Sequence, residues 1–312
     1  MPEVNAHPLS RDGDVADPGD DFSESANRGR LRTLLSDKGA CASLVVITLF
    51  SLIAICAPWI APFDPNAQHV LDAYQSAGAK HWFGTDEFGR DVFSRIVYGA
   101  RPALVIGILS VMLSVGVGTP LGLLAGYVGG RLDTAMSAVV DVMMSFPPLL
   151  LALMVVTLVG STLYTVVLAI GISHIPIFVR LARSSTLVVR ELDYVSASRS
   201  FGAGTFRIIR QHILPNVVGP TVVIATLSIA GAIREEAGLS FLGLGIQPPA
   251  PSWGNLIRDG VNAILQAPSL ALIPGLFLTV TVLAFNMVGD VIRDMLDPHD
   301  IAAAAAKQGK AR

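Results

Sequence analysis

Ionisable residues inside apolar stretches are where a hydrophobic chain would do chemistry, and this sequence has three such places. Asp141 falls within the hydrophobic run that starts at Thr134, His174 stands just before Pro176 in the next run, and Arg234-Glu235-Glu236 interrupts a third. An ionisable group at membrane depth is a functional candidate by default, as proton relay, ion ligand or pathway lining. Each also has a structural reading. Asp141 and His174 sit toward one end of their runs, where interface water and capping groups can satisfy them. Glu236 belongs either to an ordinary polar helix end or to an external entrance, where its carboxylate would meet a substrate's positive group. A proton relay requires several such groups on facing helices, and the sequence assembles no such set.

Other chemistries lack their residues. There is no GxxxxGK[ST] loop for nucleotide phosphates, no HExxH and no GxSxG. The chain is therefore expected not to be an enzyme, and any energy it uses must come from elsewhere. Cys41 and Cys56 lie in one apolar run and cannot bridge within a helix, and the six histidines have no metal-ligand spacing. No metal and no cofactor is assigned. Asp91 and Arg95, four apart, have the spacing of a helical ion pair. Gly118, Gly122, Gly126 and Gly130 recur every four residues, which lets helix backbones approach in lipid.

The elements that position these residues are set by hydropathy. Of 312 residues, 52% are hydrophobic and 15% charged, whereas soluble domains carry about a quarter. Ala40–Ile60 is long enough to span a bilayer, which takes about 20 apolar residues. Further spans are expected at 102–126, 134–158, 162–181, 217–239 and 270–292, giving an all-α polytopic membrane protein of six transmembrane helices. Residues 1–39, acidic and then basic, are expected to be a disordered tail. The membrane domain runs over 40–298, with a short tail at 299–312. Placing the N-terminus inside puts sixteen Lys and Arg on the cytoplasmic side against five outside. The positive-inside rule then makes both termini cytoplasmic and segments 61–100 and 240–269 external. The net charge of −2 gives no support for a nucleic-acid partner.

One insertion breaks the apolar pattern. Residues 182–216 turn polar and basic, with a helical run at Asp193–Phe201, a break at Gly202 and a second run ending at Leu214-Pro215. A chain that only crossed the membrane would not need it. A chain driven by a soluble engine on that face would.

This stretch resembles the EAA loop of binding-protein-dependent ABC importer permeases, through Gly202 and the Ile213-Leu214-Pro215 ending. HWFGTDEFGRDVFSRIVYGAR (81–101), DVMMSFPPLLLAL (141–153), EAGLSFLGLGIQPPAPSWG (236–254) and LAFNMVGDVIRDMLDP (283–298) resemble the dipeptide/oligopeptide/nickel subfamily, and within it the second, "C"-type permease. The resemblance implies a type I importer fold of the MetI kind in a prokaryotic cell membrane. It also implies partners: a second homologous permease making a heterodimer, two ATP-binding subunits, an external substrate-binding protein, and lipid. Asp193, Tyr194, Ser196, Ala197, Gly202, Arg207, Leu214 and Pro215 would belong to the ATPase-coupling loop. Ser196 stands where the family's EAA signature has Glu. Di- or oligopeptides are the implied substrate, with nickel chelates, glutathione or another small solute as alternatives. An ion-coupled carrier without an ATPase is the competing class, for which Asp141, His174 and Glu236 would be the pathway or gate. A scaffold or intramembrane enzyme is a third class, supported by no motif.

Overall fold

A computed structural model describes residues 38–296. The tails expected at 1–39 and 299–312 lie outside the described residues, except that Lys38 and Gly39 already belong to the first helix. In a bilayer every backbone polar group must be satisfied within the protein, and helices do this segment by segment. Among the described residues the secondary structure is helical apart from turns and one isolated bridge, Thr85 to Asp91.

The helices are α1 (Lys38–Ile55), α2 (Ala57–Ile60), α3 (Val92–Val128), α4 (Gly130–Met144), α5 (Pro148–Val159), α6 (Leu163–Val189), α7 (Asp193–Ser200), α8 (Thr205–Ile208), α9 (Leu214–Phe241), α10 (Trp253–Asn262) and α11 (Ser269–Leu296). A π-turn at Ile209–Ile213 joins α8 to α9, so one helix runs without a stop from Thr205 to Phe241. Among the described residues four helices are long and apolar enough to cross a membrane: α3, α6, this continuous helix and α11. The expected six spans are reached only by counting the shorter α1 and the bent pair α4–α5 as one span each.

Three expected boundaries need correction. The second span begins well before 102, at Val92, because Asp91 caps the helix by accepting from the Ser94 amide at 2.8 Å. The third, expected at 134–158, is broken: α4 and α5 meet at 90°. Pro147 and Pro148 cause the break, since neither offers an amide hydrogen and each biases its predecessor away from helix. The insertion expected at 182–216 shrinks to the stretch between Val189 and Thr205, and its second run does not end at Leu214-Pro215. Pro215 follows directly on the π-turn, at the start of α9, and the helix runs on through it.

Packing is densest between α3 and α6. Gly118, Gly122 and Gly126 face α6 there. A Cβ on Gly118 would lie 2.8 Å from the Ile175 carbonyl, and one on Gly126 would lie 2.8 Å from Thr186 Cβ. Gly130 does not share this interface; it opens α4 with nothing close to it. At the opposite end, Trp253 of α10 is fully buried and donates its indole N–H to the Ile96 carbonyl at 3.0 Å. It packs edge-on against Phe50 of α1.

Candidate functional site

The site is built at the end of the bundle where α6 leaves and the continuous helix returns. Val195, the buried residue of α7, joins Leu123, Ala182, Ile208, Ile213 and Val217 in one apolar cluster. That cluster seats α7 on the bundle as a short crosswise helix. Polar contacts add a second hold. Ser198 Oγ and His212 Nε2 are 3.2 Å apart, Asn216 donates to the Tyr194 hydroxyl at 3.3 Å, and Tyr194 meets His212 edge-on. Arg190 donates to the Gly126 carbonyl at 2.6 Å, tying the end of α6 to α3.

Gly202 makes the reversal. Its φ of +82° lies in the left-handed region that side-chain-bearing residues avoid, and the space around it is open. The amides of Gly202 and Ala203 return to Arg199 and Ser198 carbonyls at 3.0 and 3.1 Å, closing the end of α7. Beyond this fixed frame the side chains point outward. Phe201 is 91% exposed and Phe206 77%, with Tyr194, Ser196, Ala197 and Arg207 also exposed around them. Asp193 occupies the first turn of α7, where the helix dipole favours a carboxylate. Leu214 is half-buried at the root. The braced elbow thus carries two bare phenylalanines and the exposed Arg199, Arg207 and Arg210. The sequence reading passed over Phe201 and Phe206, although aromatics inside a polar insertion are a legible signal.

The ionisable candidates separate into three places. His174 on α6 is buried, with Nε2 at 3.1 Å from each carboxylate oxygen of Glu235 on α9. Asp141 on α4 accepts from Arg180 on α6 at 2.7 Å, and Asp133 on α4 accepts from Arg183 Nε and Nη2. Glu236 does not line an entrance. It is fully buried and accepts from Ser240 Oγ at 2.7 Å, and the same hydroxyl accepts from the Ile246 amide at 3.1 Å. Asn255 holds the Ile246 carbonyl at 2.6 Å, so Glu236 anchors the loop that leads into α10. Nor do Asp91 and Arg95 pair. Asp91 caps α3 and meets His81 Nδ1 at 2.9 Å, while Arg95 lies 3.5 Å from Asp86 and donates to the Pro65 carbonyl at 3.0 Å. Asp86 also takes Arg90 Nε at 2.6 Å. These buried ion pairs pin the 61–91 segment over its end of the bundle.

Comparison with known proteins agrees with this architecture. The family described as "Binding-protein-dependent transport system inner membrane component" matches residues 118–299, and "N-terminal TM domain of oligopeptide transport permease C" matches 28–77. A dipeptide transport system permease protein, DppC of Alkalihalophilus pseudofirmus, is 42% identical over 96% of this chain and 99% of its own length. The glutathione transport system permease protein GsiD of Pectobacterium atrosepticum is 40% identical over 93% and 94%. Among solved structures, an inward-facing form of the MetNI methionine ABC transporter superposes with a TM-score of 0.53 at 20% identity. The match covers 64% of this chain and 96% of that one and speaks for the fold alone.

Proposed function

The chain belongs to the family of binding-protein-dependent transport system inner membrane components, and from that premise we propose how its geometry serves transport. A permease of this family is a membrane component of an ATP-driven importer; ATP hydrolysis resides in separate subunits. The α7 elbow is the surface on which an ATP-binding subunit docks. The exposed Phe201 and Phe206, on a frame braced by Val195, Ile208 and Ile213, carry this reading. Because α6 enters the elbow and the Thr205–Phe241 helix leaves it, force on the elbow is delivered to two spans at once. Two such elements drawn together by closing ATPases would swing the pathway between inward- and outward-facing packings.

The remaining partners follow the same logic. A second, homologous permease completes the pathway, two ATP-binding subunits drive it, and a binding protein delivers substrate at the α10 end. In this reading the elbow and both termini are cytoplasmic, as the distribution of Lys and Arg suggests. Di- or oligopeptides are the proposed substrate, since relatives over nearly the whole length are named for dipeptide transport; glutathione, named for another, is the runner-up.

Purification of the tagged chain in mild detergent, with every co-purifying chain identified and quantified, tests the assembly. A second permease and two ATPase chains per complex are expected. Recovery of this chain alone, in a preparation that still transports after reconstitution, would overturn it.

A further inference from the structure

We infer that Asp141 and Arg180 form a transit site for a zwitterion: they face the water-filled pathway of the assembled importer, and a passing peptide places its ammonium on Asp141 and its carboxylate on Arg180. The inference rests on the peptide reading above.

The pair is close, at 2.7 Å, yet it is open: the side chain of Arg180 is 51% exposed and that of Asp141 68%. Arg180 stands at the inner edge of the span expected at 162–181, and Asp141 lies about two turns into the one expected at 134–158. Charges at such depth are costly against lipid and are found facing water, bundle interior or another protein. The neighbouring pair shows what a purely structural tie looks like here. Arg183 grips both oxygens of Asp133, and both side chains are more enclosed. That grip already holds α4 to α6, so Asp141 is not needed for the job.

The two carboxylates stand eight residues apart on α4 but meet arginines only three apart on α6, so α4 crosses α6 obliquely. The crossing leaves a recess of about 230 Å³ lined by Ser137, Val140, Asp141, Val179, Arg180 and Arg183. It presents the Asp141 carboxylate, the Arg180 guanidinium and the Ser137 hydroxyl, with Arg183 already taken up by Asp133, and that carboxylate and the Arg180 guanidinium complement a short peptide's two ends. An exposed ion pair contributes little to stability, so a zwitterion can replace it at little cost. Weak, exchangeable binding is what a transit site requires. A subunit interface fits less well, because burying the pair would strip its water and supply nothing in return. Val139 and Val142, exposed on the same helix, offer a partner a better surface.

The test uses the complete importer in proteoliposomes with its binding protein, and dialanine as the probe. Asp141→Asn and Arg180→Gln are each expected to lower dialanine import per ATP hydrolysed about tenfold, the worth of one charge-assisted contact. The exchanged pair Asp141→Arg/Arg180→Asp keeps an ion pair but presents the charges reversed, and it is expected not to recover. In a chain carrying Cys41→Ala and Cys56→Ala, Ser137→Cys is expected to react with a membrane-impermeant thiol reagent and to be protected by dialanine. Recovery by the exchanged pair, or loss of the second permease from single-variant complexes, would make the pair structural and overturn the inference. Import of dialanine by wild type with unaffected variants overturns it alone. A wild-type importer that hydrolyses ATP but moves no peptide overturns the substrate reading and the zwitterion assignment together.

Discussion

His174 on α6 presents Nε2 to both carboxylate oxygens of Glu235 on α9 at the same distance, 3.1 Å. The contact joins the two spans that flank the α7 elbow, far from the elbow itself. It makes them one lever. A lever of two unlinked arms would dissipate motion between them. Replacing His174 with Ala leaves a carboxylate without its partner in a mostly buried place, a loss of about 1–3 kcal/mol. A lower thermal midpoint and less solute moved per ATP are expected, and the double variant His174→Gln/Glu235→Gln should recover much of the stability.

Gly202 sets the direction of the elbow. Gly202→Val forces a β-branched residue to a φ of +82°, at a cost of at least about 1–2 kcal/mol. Membrane abundance should match wild type while uptake falls and ATP hydrolysis no longer tracks it. Normal uptake at equal abundance would count against docking through this turn.

Phe201 and Phe206 are exposed and support nothing inside the chain. Phe201→Ser and Phe206→Ser should leave thermal stability within about 0.5 kcal/mol, as surface changes do. Co-purification of the ATPase should nevertheless drop sharply. Unchanged recovery of that subunit would remove these side chains from the interface.

Gly122 shows the reverse pattern. A Cβ there would meet the Val179 carbonyl and lie 2.8 Å from Ala182 Cβ. Overpacking of a tight interface costs about 1–3 kcal/mol or more. Gly122→Val is expected to reduce the amount of folded permease extracted by detergent, before any question of transport arises.

Glu236 makes a negative prediction. Because it is buried on Ser240 and anchors the loop into α10, Glu236→Gln should leave the order of preference among solutes unchanged. A shift in that preference would return it to the pathway.

The spans and the polar insertion were legible because both are written in hydropathy, which a single sequence displays directly. The right-angle break between α4 and α5 was not: hydropathy is blind to direction, and Phe146-Pro147-Pro148-Leu149 reads as one apolar run. Glu235 and Glu236 illustrate a second limit. Adjacent helical positions point about 100° apart, so which one meets His174 depends on a rotation set by distant packing. Asp91 and Arg95 illustrate a third. Their spacing fits an ion pair, but an aspartate at a helix start is claimed first by the orphan amides there. The break at Gly202 could be read from local pattern alone. Arg180 could not be assigned, because its partner lies thirty-nine residues away on a helix that crosses it.

The π-turn at Ile209–Ile213 has a bearing on descent as well as on mechanism. A π-turn holds one more residue than the helix around it, so deleting one residue there would rewind the segment and rotate Phe206 by about 100° relative to α9. The compass bearing of the proposed docking face thus depends on a residue count as well as on the side chains that brace the elbow. A lineage could re-aim this elbow toward a differently shaped motor by a single codon gained or lost, leaving every contacting residue as it was.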